Sequence, residues 1–123
     1  MRIWVDADAC PAAVKELIIR TALRLKLHAI FVANKHIFTP DSAYVSTLRL
    51  EKNPEAVDER IVEVAEAGDL AVTQDIPLAS ALVPKGVIVM TPRGEIFTES
   101  NIRERLSIRN FMQDIREAGT ITP

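Results

Sequence analysis

Four aspartates are the residues of this 123-residue chain best suited to do chemistry together. Asp6 and Asp8 stand two positions apart just after the apolar run Ile3-Trp4-Val5, and on extended backbone that spacing projects both carboxylates to the same side. Asp75 follows a second apolar run, Leu70 to Thr73. Asp58 is in helical register with Ile61, Val62 and Ala65 at i+3, i+4 and i+7, whereas Glu55, Glu59, Glu63 and Glu66 fall mainly on the other side, so Asp58 is expected at the inner edge of an apolar stripe. Carboxylates crowded at one sheet edge repel one another and hold their protons more tightly unless a cation sits between them. Oxygen donors in that number suit a hard dication, Mg²⁺ or Mn²⁺, and with it hydrolysis of a phosphodiester. The simpler alternative is that Asp6 and Asp8 cap the first helix and Asp75 the next one. Asp69 carries the same charge but precedes its strand, which separates it from Asp75 by ~15–20 Å at the ~3.3 Å rise of extended chain. Gly68-Asp69 reads as a turn.

Cations are available for a phosphate. Arg93 sits in the turn Pro92-Arg93-Gly94, and Arg105, Arg109 and Arg116 recur at i, i+4 and i+11, a stripe distinct from that of Ile108, Phe111, Met112 and Ile115. Arginine forks match phosphate oxygens, so Arg93 with Arg105 or Arg109 is expected to hold the substrate phosphate. The competing reading is a solvated row paired with nearby glutamates. Asn34 and Ser42 flank a loop where they would either orient a phosphate or cap the loop. His28 and His36 are given no catalytic role. Cys10 lies at a helix start, where the dipole lowers a thiol's pKa, but a cysteine phosphatase wants arginine six residues on and Glu16 stands there. Trp4 and the phenylalanines fall in strand or helix-face patterns and are expected in the core.

These residues need a scaffold, and the chain's periodicities supply one. Ile3-Trp4-Val5 predicts a buried strand, and Pro11 opens a helix whose stripe is Val14, Leu17, Ile18, Thr21, Ala22 and Leu25. His28 to Ala33 predicts a strand, Lys35 to Ser42 a loop around Pro40, and Tyr44 to Leu50 another strand. Asn53-Pro54 has the form of a helix cap followed by proline at the first helical position, with the helix running to Ala67 and stopped by Gly68. A strand over Leu70 to Thr73, a short helix over Ile76 to Val83 and a strand over Val87 to Met90 follow, and Ser100 or Asn101 caps a final helix. Strands alternating with helices over short links imply a mostly parallel sheet covered on both faces, an α/β three-layer sandwich. In such sheets the chemistry gathers outside the carboxyl ends of the strands.

Composition narrows the classes. The length is that of one domain, expected over residues 1–118 with a loose tail at 119–123, and with 48% hydrophobic residues it can bury a genuine core. Fifteen basic against seventeen acidic residues give net −2, which excludes binding of polyanions by bulk charge and leaves only a local patch. Two aspartates in the first ten residues do not fit a secretory signal, and no apolar run approaches the ~18 residues of a membrane span. With Cys10 as the sole cysteine, the expectation is a cytoplasmic protein with no membrane association.

The combination Val5-Asp6-Ala7-Asp8-Ala9-Cys10-Pro11, Phe31-Val32-Ala33-Asn34, Gly68-Asp69-Leu70, Thr73-Gln74-Asp75-Ile76-Pro77-Leu78-Ala79, Pro92-Arg93-Gly94 and Asn101-Ile102 resembles the YaiI/YqxD family of bacterial proteins over nearly the whole chain. That family is similar to PIN-domain nucleases, which cleave single-stranded nucleic acid with metal held by acidic residues. The resemblance implies a PIN-like fold and a bacterial, metal-dependent nuclease acting on RNA rather than DNA. It carries the opening aspartate onto Asp6, the acidic residue of the central helix onto Asp58 or Glu59, and T-x-D onto Thr73 and Asp75. A further acid usually follows T-x-D, and here Ile76-Pro77-Leu78-Ala79 stands in its place, with Asp8 as a substitute. Val57-Asp58-Glu59 also replaces the family's usual Ala-Asp-Asp. Two rival functions stay open. Val5-Asp6-Ala7-Asp8 fits a haloacid-dehalogenase-type phosphatase with Asp6 as nucleophile, although Cys10 and Ala33-Asn34 depart from that pattern. A non-catalytic module that binds RNA or a protein on the same fold is the other.

Overall fold

A computed structural model describes residues 1–51, 53 and 55–119. Ten elements follow one another: β1 (Arg2–Asp6), α1 (Ala12–Leu25), β2 (His28–Ala33), β3 (Val45–Arg49), α2 (Ala56–Val64), β4 (Leu70–Val72), α3 (Ile76–Leu82), β5 (Ile88–Met90), β6 (Ile96–Phe97) and α4 (Glu99–Glu117). One six-stranded sheet forms in the order β3-β2-β1-β4-β5-β6, parallel throughout except for β6. The chain therefore winds outward from β1 through β2 to β3, then returns to the far side of β1 with β4. The crevice created by that reversal lies between the carboxyl ends of β1 and β4.

Strand alternation assigns the two faces. Ile3 and Val5 pack with Ile18 and Ala22 of α1, while Trp4 packs with Ile61 of α2 and Leu78 and Leu82 of α3. The fold is a three-layer α/β sandwich, with α1 on one face and α2 and α3 on the other. Because successive side chains alternate, Asp6 follows Trp4 onto the α2/α3 side, and Thr73 follows Ala71 there. No helix among the described residues is long and apolar enough to cross a membrane.

Several local expectations need correction. In α1 only the row Val14, Ile18 and Ala22, with Ile19 beside it, meets the sheet; Leu17 and Leu25 are 59% and 52% exposed. Helix α2 ends at Val64, not Ala67. The Asp69 side chain captures the Glu66 amide at 3.0 Å and turns the chain before Gly68 is reached. Asn53 still caps locally, accepting from the Glu55 amide at 3.0 Å; Pro54 lies outside the described residues. So do positions 120–123 of the expected tail.

Thr98, not Ser100 or Asn101, caps α4. Its Oγ1 accepts from the Asn101 amide, and Asn101 Oδ1 accepts from the Thr98 amide in return, a reciprocal capping box with asparagine in the usual glutamate position. The two-residue strand β6 was too short for any periodicity to reveal. Helix α4 meets the core through Ile102, leaving Ile108 and Phe111 of its expected apolar stripe 54% and 60% exposed. Gly86 is required as glycine: its φ is +87°, and a Cβ there would lie 3.0 Å from that of Ala67.

Candidate functional site

The carboxyl end of β1 carries Asp6, 8% exposed, whose Oδ2 accepts a 2.8 Å hydrogen bond from Thr73 Oγ1 just past β4. The Thr73 hydroxyl also accepts from the Asp75 amide at 3.0 Å. A hydroxyl has one proton to donate, and here it is committed to Asp6 while a lone pair holds the start of α3. Thr73 thus ties the end of β1 to the turn that presents Asp75. Asp75 caps α3, its Oδ1 accepting from the Leu78 amide at 2.8 Å. It also stands close enough to Asp58, in the first turn of α2, for its charge to raise that carboxyl.

Asp6, Asp58 and Asp75 therefore lie near one another at the crevice between β1 and β4, close enough for the charges of Asp75 and Asp6 to act on Asp58. The electrostatics record the crowding. Burial, followed by the nearby Asp75 carboxyl and the charge of Asp6, pushes the Asp58 carboxyl up to about 7. Desolvation also raises Asp6, partly offset by the Thr73 hydrogen bond and reinforced by the charges of Asp75 and Asp8. Asp58 borders a 370 Å³ cavity lined by Val62, Pro77, Leu78 and Ala81, a largely apolar flank that accounts for its desolvation. Glu59 is exposed. Of the two candidates for the central helix, Asp58 is the one in contact with the others.

Asp8 stands apart. It sits in a 3₁₀ turn over Ala7–Ala9, and its Oδ2 accepts from the Asn34 amide at 2.7 Å. Asp6 feels its charge but makes no hydrogen bond to it. Neither Asp6 nor Asp8 caps a helix; Pro11 occupies the cap position of α1 without a side-chain bond. Asn34 Nδ2 donates to the carbonyls of Glu51 and Asn53, so this side chain braces the strand ends, and Ser42 Oγ accepts from the Tyr44 amide within its own loop.

Arg93 and Arg105 line one 190 Å³ polar cavity together with Gln74 and Thr91, directly beside the turn that bears Asp75. Arg105 pairs with Glu95 at 2.5 Å and lies over the Phe97 ring at 5.3 Å. Arg109 lies farther along α4 and is not part of this cavity. Sequence reasoning missed Glu95 and Gln74. Gln74 donates to the Ala9 carbonyl across the crevice, a contact that no spacing rule announces.

Three smaller expectations also change. Burial raises the Cys10 thiol above its ordinary value, against the helix-dipole argument. Trp4, Phe31 and Phe97 are core, but Phe38 is 89% exposed, as Phe111 is at 60%. Asp69 is more than a turn residue. At 5% exposure it accepts from the Arg2 amide at 2.9 Å, from Trp4 Nε1 at 3.0 Å and from the Glu66 amide, and these bonds with the Arg2 charge hold its carboxyl below the usual range.

The arrangement offers an all-oxygen donor set at a topological switch point, with arginines one turn away. Among the described residues no group of three or more His, Cys, Asp or Glu side chains stands ready as a metal cage.

Residues 4–123 match the family model described as "Uncharacterized BCR, YaiI/YqxD family". The UPF0178 protein of Syntrophobacter fumaroxidans is 72% identical over 123 residues, covering all of this chain and 80% of the relative. Those of Myxococcus xanthus and Dechloromonas aromatica are 56% and 48% identical over 122 residues, covering 99% of this chain and 80% and 81% of the relatives. No solved structure matches. With aspartates at the mouth of β1 and β4, the capped T-x-D turn and a family match from residue 4 onward, the chain belongs to the YaiI/YqxD family.

Proposed function

We propose that the protein is a Mg²⁺- or Mn²⁺-dependent phosphodiesterase acting on RNA, with Asp6, Asp58 and Asp75 as the metal-holding residues and Asp8 at the rim. The observation that carries this reading is the nearness of three carboxylates from β1, α2 and the cap of α3, one of them raised to about 7 by burial and by the other two. The donor set fits a hard dication: it is all oxygen, and a cation would relieve the repulsion that helps to raise Asp58 and Asp6. Such an ion, when bound, supplies Lewis acidity toward a phosphodiester oxygen.

The chain's own groups do the rest. Thr73 donates to Asp6 and fixes its carboxylate, and the α3 cap fixes Asp75. Arg93 and Arg105 border the adjoining cavity, where a guanidinium fork suits a neighbouring phosphate. The resemblance to PIN-domain nucleases supports the same class of reaction.

The deciding experiment is a crystal soaked in Mn²⁺ and read by anomalous scattering, paired with RNA hydrolysis by the full chain. One or more peaks among Asp6, Asp58 and Asp75, with cleavage lost in Asp6→Asn and Asp75→Asn variants that still fold, is the expected result. Absence of a peak at millimolar Mn²⁺, or cleavage undiminished in Asp6→Asn, overturns it. A phosphatase would instead trap phosphate on Asp6.

A further inference from the structure

On the opposite face of the sheet, a 310 Å³ cavity opens between the first turns of α1 and the loop after β2. Lys15, Glu16 and Ile19 line it from α1, Phe31 from β2, and His36 and Phe38 from the loop. Its volume is at the lower end of the range for small-ligand sites, enough for one planar heterocycle and not for a large ligand. A single exposed apolar side chain carries little meaning by itself. Phe38, however, is a wall of this cavity, 89% exposed, and His36 meets its ring edge-on at 5.1 Å between centroids with an interplanar angle of 84°. A perpendicular contact of this kind covers at most one face of the phenyl ring and leaves another open to stack.

Polar groups of both kinds stand at the rim. Lys15 brings a donor, Glu16 an acceptor, and His36 a ring nitrogen of either kind, the complement of a base edge with donors and acceptors side by side. The position is equally specific. The loop begins at Asn34, whose amide is bonded to Asp8, and Val32 is paired in register with Asp6. The loop that carries His36 and Phe38 therefore leaves β2 at the same carboxyl edge of the sheet as Asp6, on the neighbouring strand.

The geometry points to a nucleobase-binding site, in which one unpaired base of a single-stranded substrate stacks on Phe38 and is read by Lys15, Glu16 and His36. This rests on the proposed nuclease reading for the identity of the substrate but uses none of its metal-holding residues. A duplex cannot offer such a base without extruding it, so the site selects for single strands.

The test is fluorescence anisotropy with a short fluorescein-labelled single-stranded RNA in EDTA, where hydrolysis does not interfere. The full chain, Phe38→Ala and Phe38→Trp are compared on that RNA and on the same backbone made abasic. Phe38→Ala is expected to weaken RNA binding about tenfold or more, Phe38→Trp to preserve it, and the abasic strand to bind the full chain and Phe38→Ala equally. Equal affinity of Phe38→Ala and the unaltered chain for RNA overturns the site, as does the same loss on the abasic strand, or no RNA binding at all. Since Phe38 is almost fully exposed, the variant should fold. Asp6→Asn separates the two readings: it should abolish cleavage and leave the Phe38-dependent affinity intact. Cleavage without that affinity sinks only this site, and the affinity without cleavage sinks only the nuclease.

Discussion

Strand β1 ends in opposite chemistry at its two edges. At the amino edge, Asp69 stands alone among donors: two amides, an indole N–H and a guanidinium hold one carboxylate below its usual range. At the carboxyl edge, Asp6, Asp58 and Asp75 have one hydroxyl and one amide among them, and burial together with the neighbouring carboxylates drives Asp6 and Asp58 upward. Burial acts on both groups; what differs is whether the protein supplies the hydrogen-bond donors. A carboxylate surrounded by donors is a structural part. Carboxylates deprived of them are poised for something that comes from outside.

The sharpest way to break this contrast is Asp69→Ala. Removing the acceptor leaves the buried Trp4 indole N–H and the half-buried Arg2 and Glu66 amides without a partner and should cost about 3 kcal/mol in urea unfolding. A loss under 1 kcal/mol would mean that the amino edge is not the anchor described. Next comes Thr73→Val, which deprives Asp6 of its donor and the Asp75 amide of its acceptor. A loss of about 1–2 kcal/mol is expected, with Thr73→Ser restoring most of it.

Asp58→Asn should go the other way and stabilise the metal-free chain at pH 8, on the order of 1 kcal/mol once solvent screening is allowed for. The pH dependence follows with opposite signs. Asp58, raised from 3.8 to about 7, holds its proton more tightly when folded, so its contribution favours folding below pH 4 and fades as pH rises to about 7. Asp69, lowered from 3.8, contributes fully above that value and loses its contribution as pH falls below it. Denaturation curves from pH 3 to 8 should show the upper slope shrink in Asp58→Asn, with the part due to Asp6 remaining, and the lower slope shrink in Asp69→Asn. The smallest effect is at the surface: Arg105→Ala breaks an exposed ion pair with Glu95 and should change stability by less than about 1 kcal/mol, while weakening RNA binding if the adjoining cavity takes a phosphate.

Much of this architecture was legible before any coordinates. The alternation of strand and helix gave the parallel sheet, and Asp6 could be placed at a strand end because three apolar residues precede it. Asp58 was readable from its register with Ile61, since helical spacing is local. What was not legible depends on long-range partners. Asp8 shares the Asp6 pattern, yet a 3₁₀ turn sends it to the Asn34 amide, 26 residues away in sequence. Phe38 has the composition of a core residue, and only the path of its loop leaves it in solvent. The end of α2 was misjudged because Gly68 was the visible stop signal, while Asp69 acts first through its side chain.

Trp4 is the chain's one tryptophan, and its indole nitrogen is tied to Asp69 while its strand carries Asp6 two positions on. The unlabelled protein therefore contains its own optical gauge. Its emission is expected to shift as Asp69 takes up a proton at one end of the strand, and to dim if a paramagnetic ion arrives at the other.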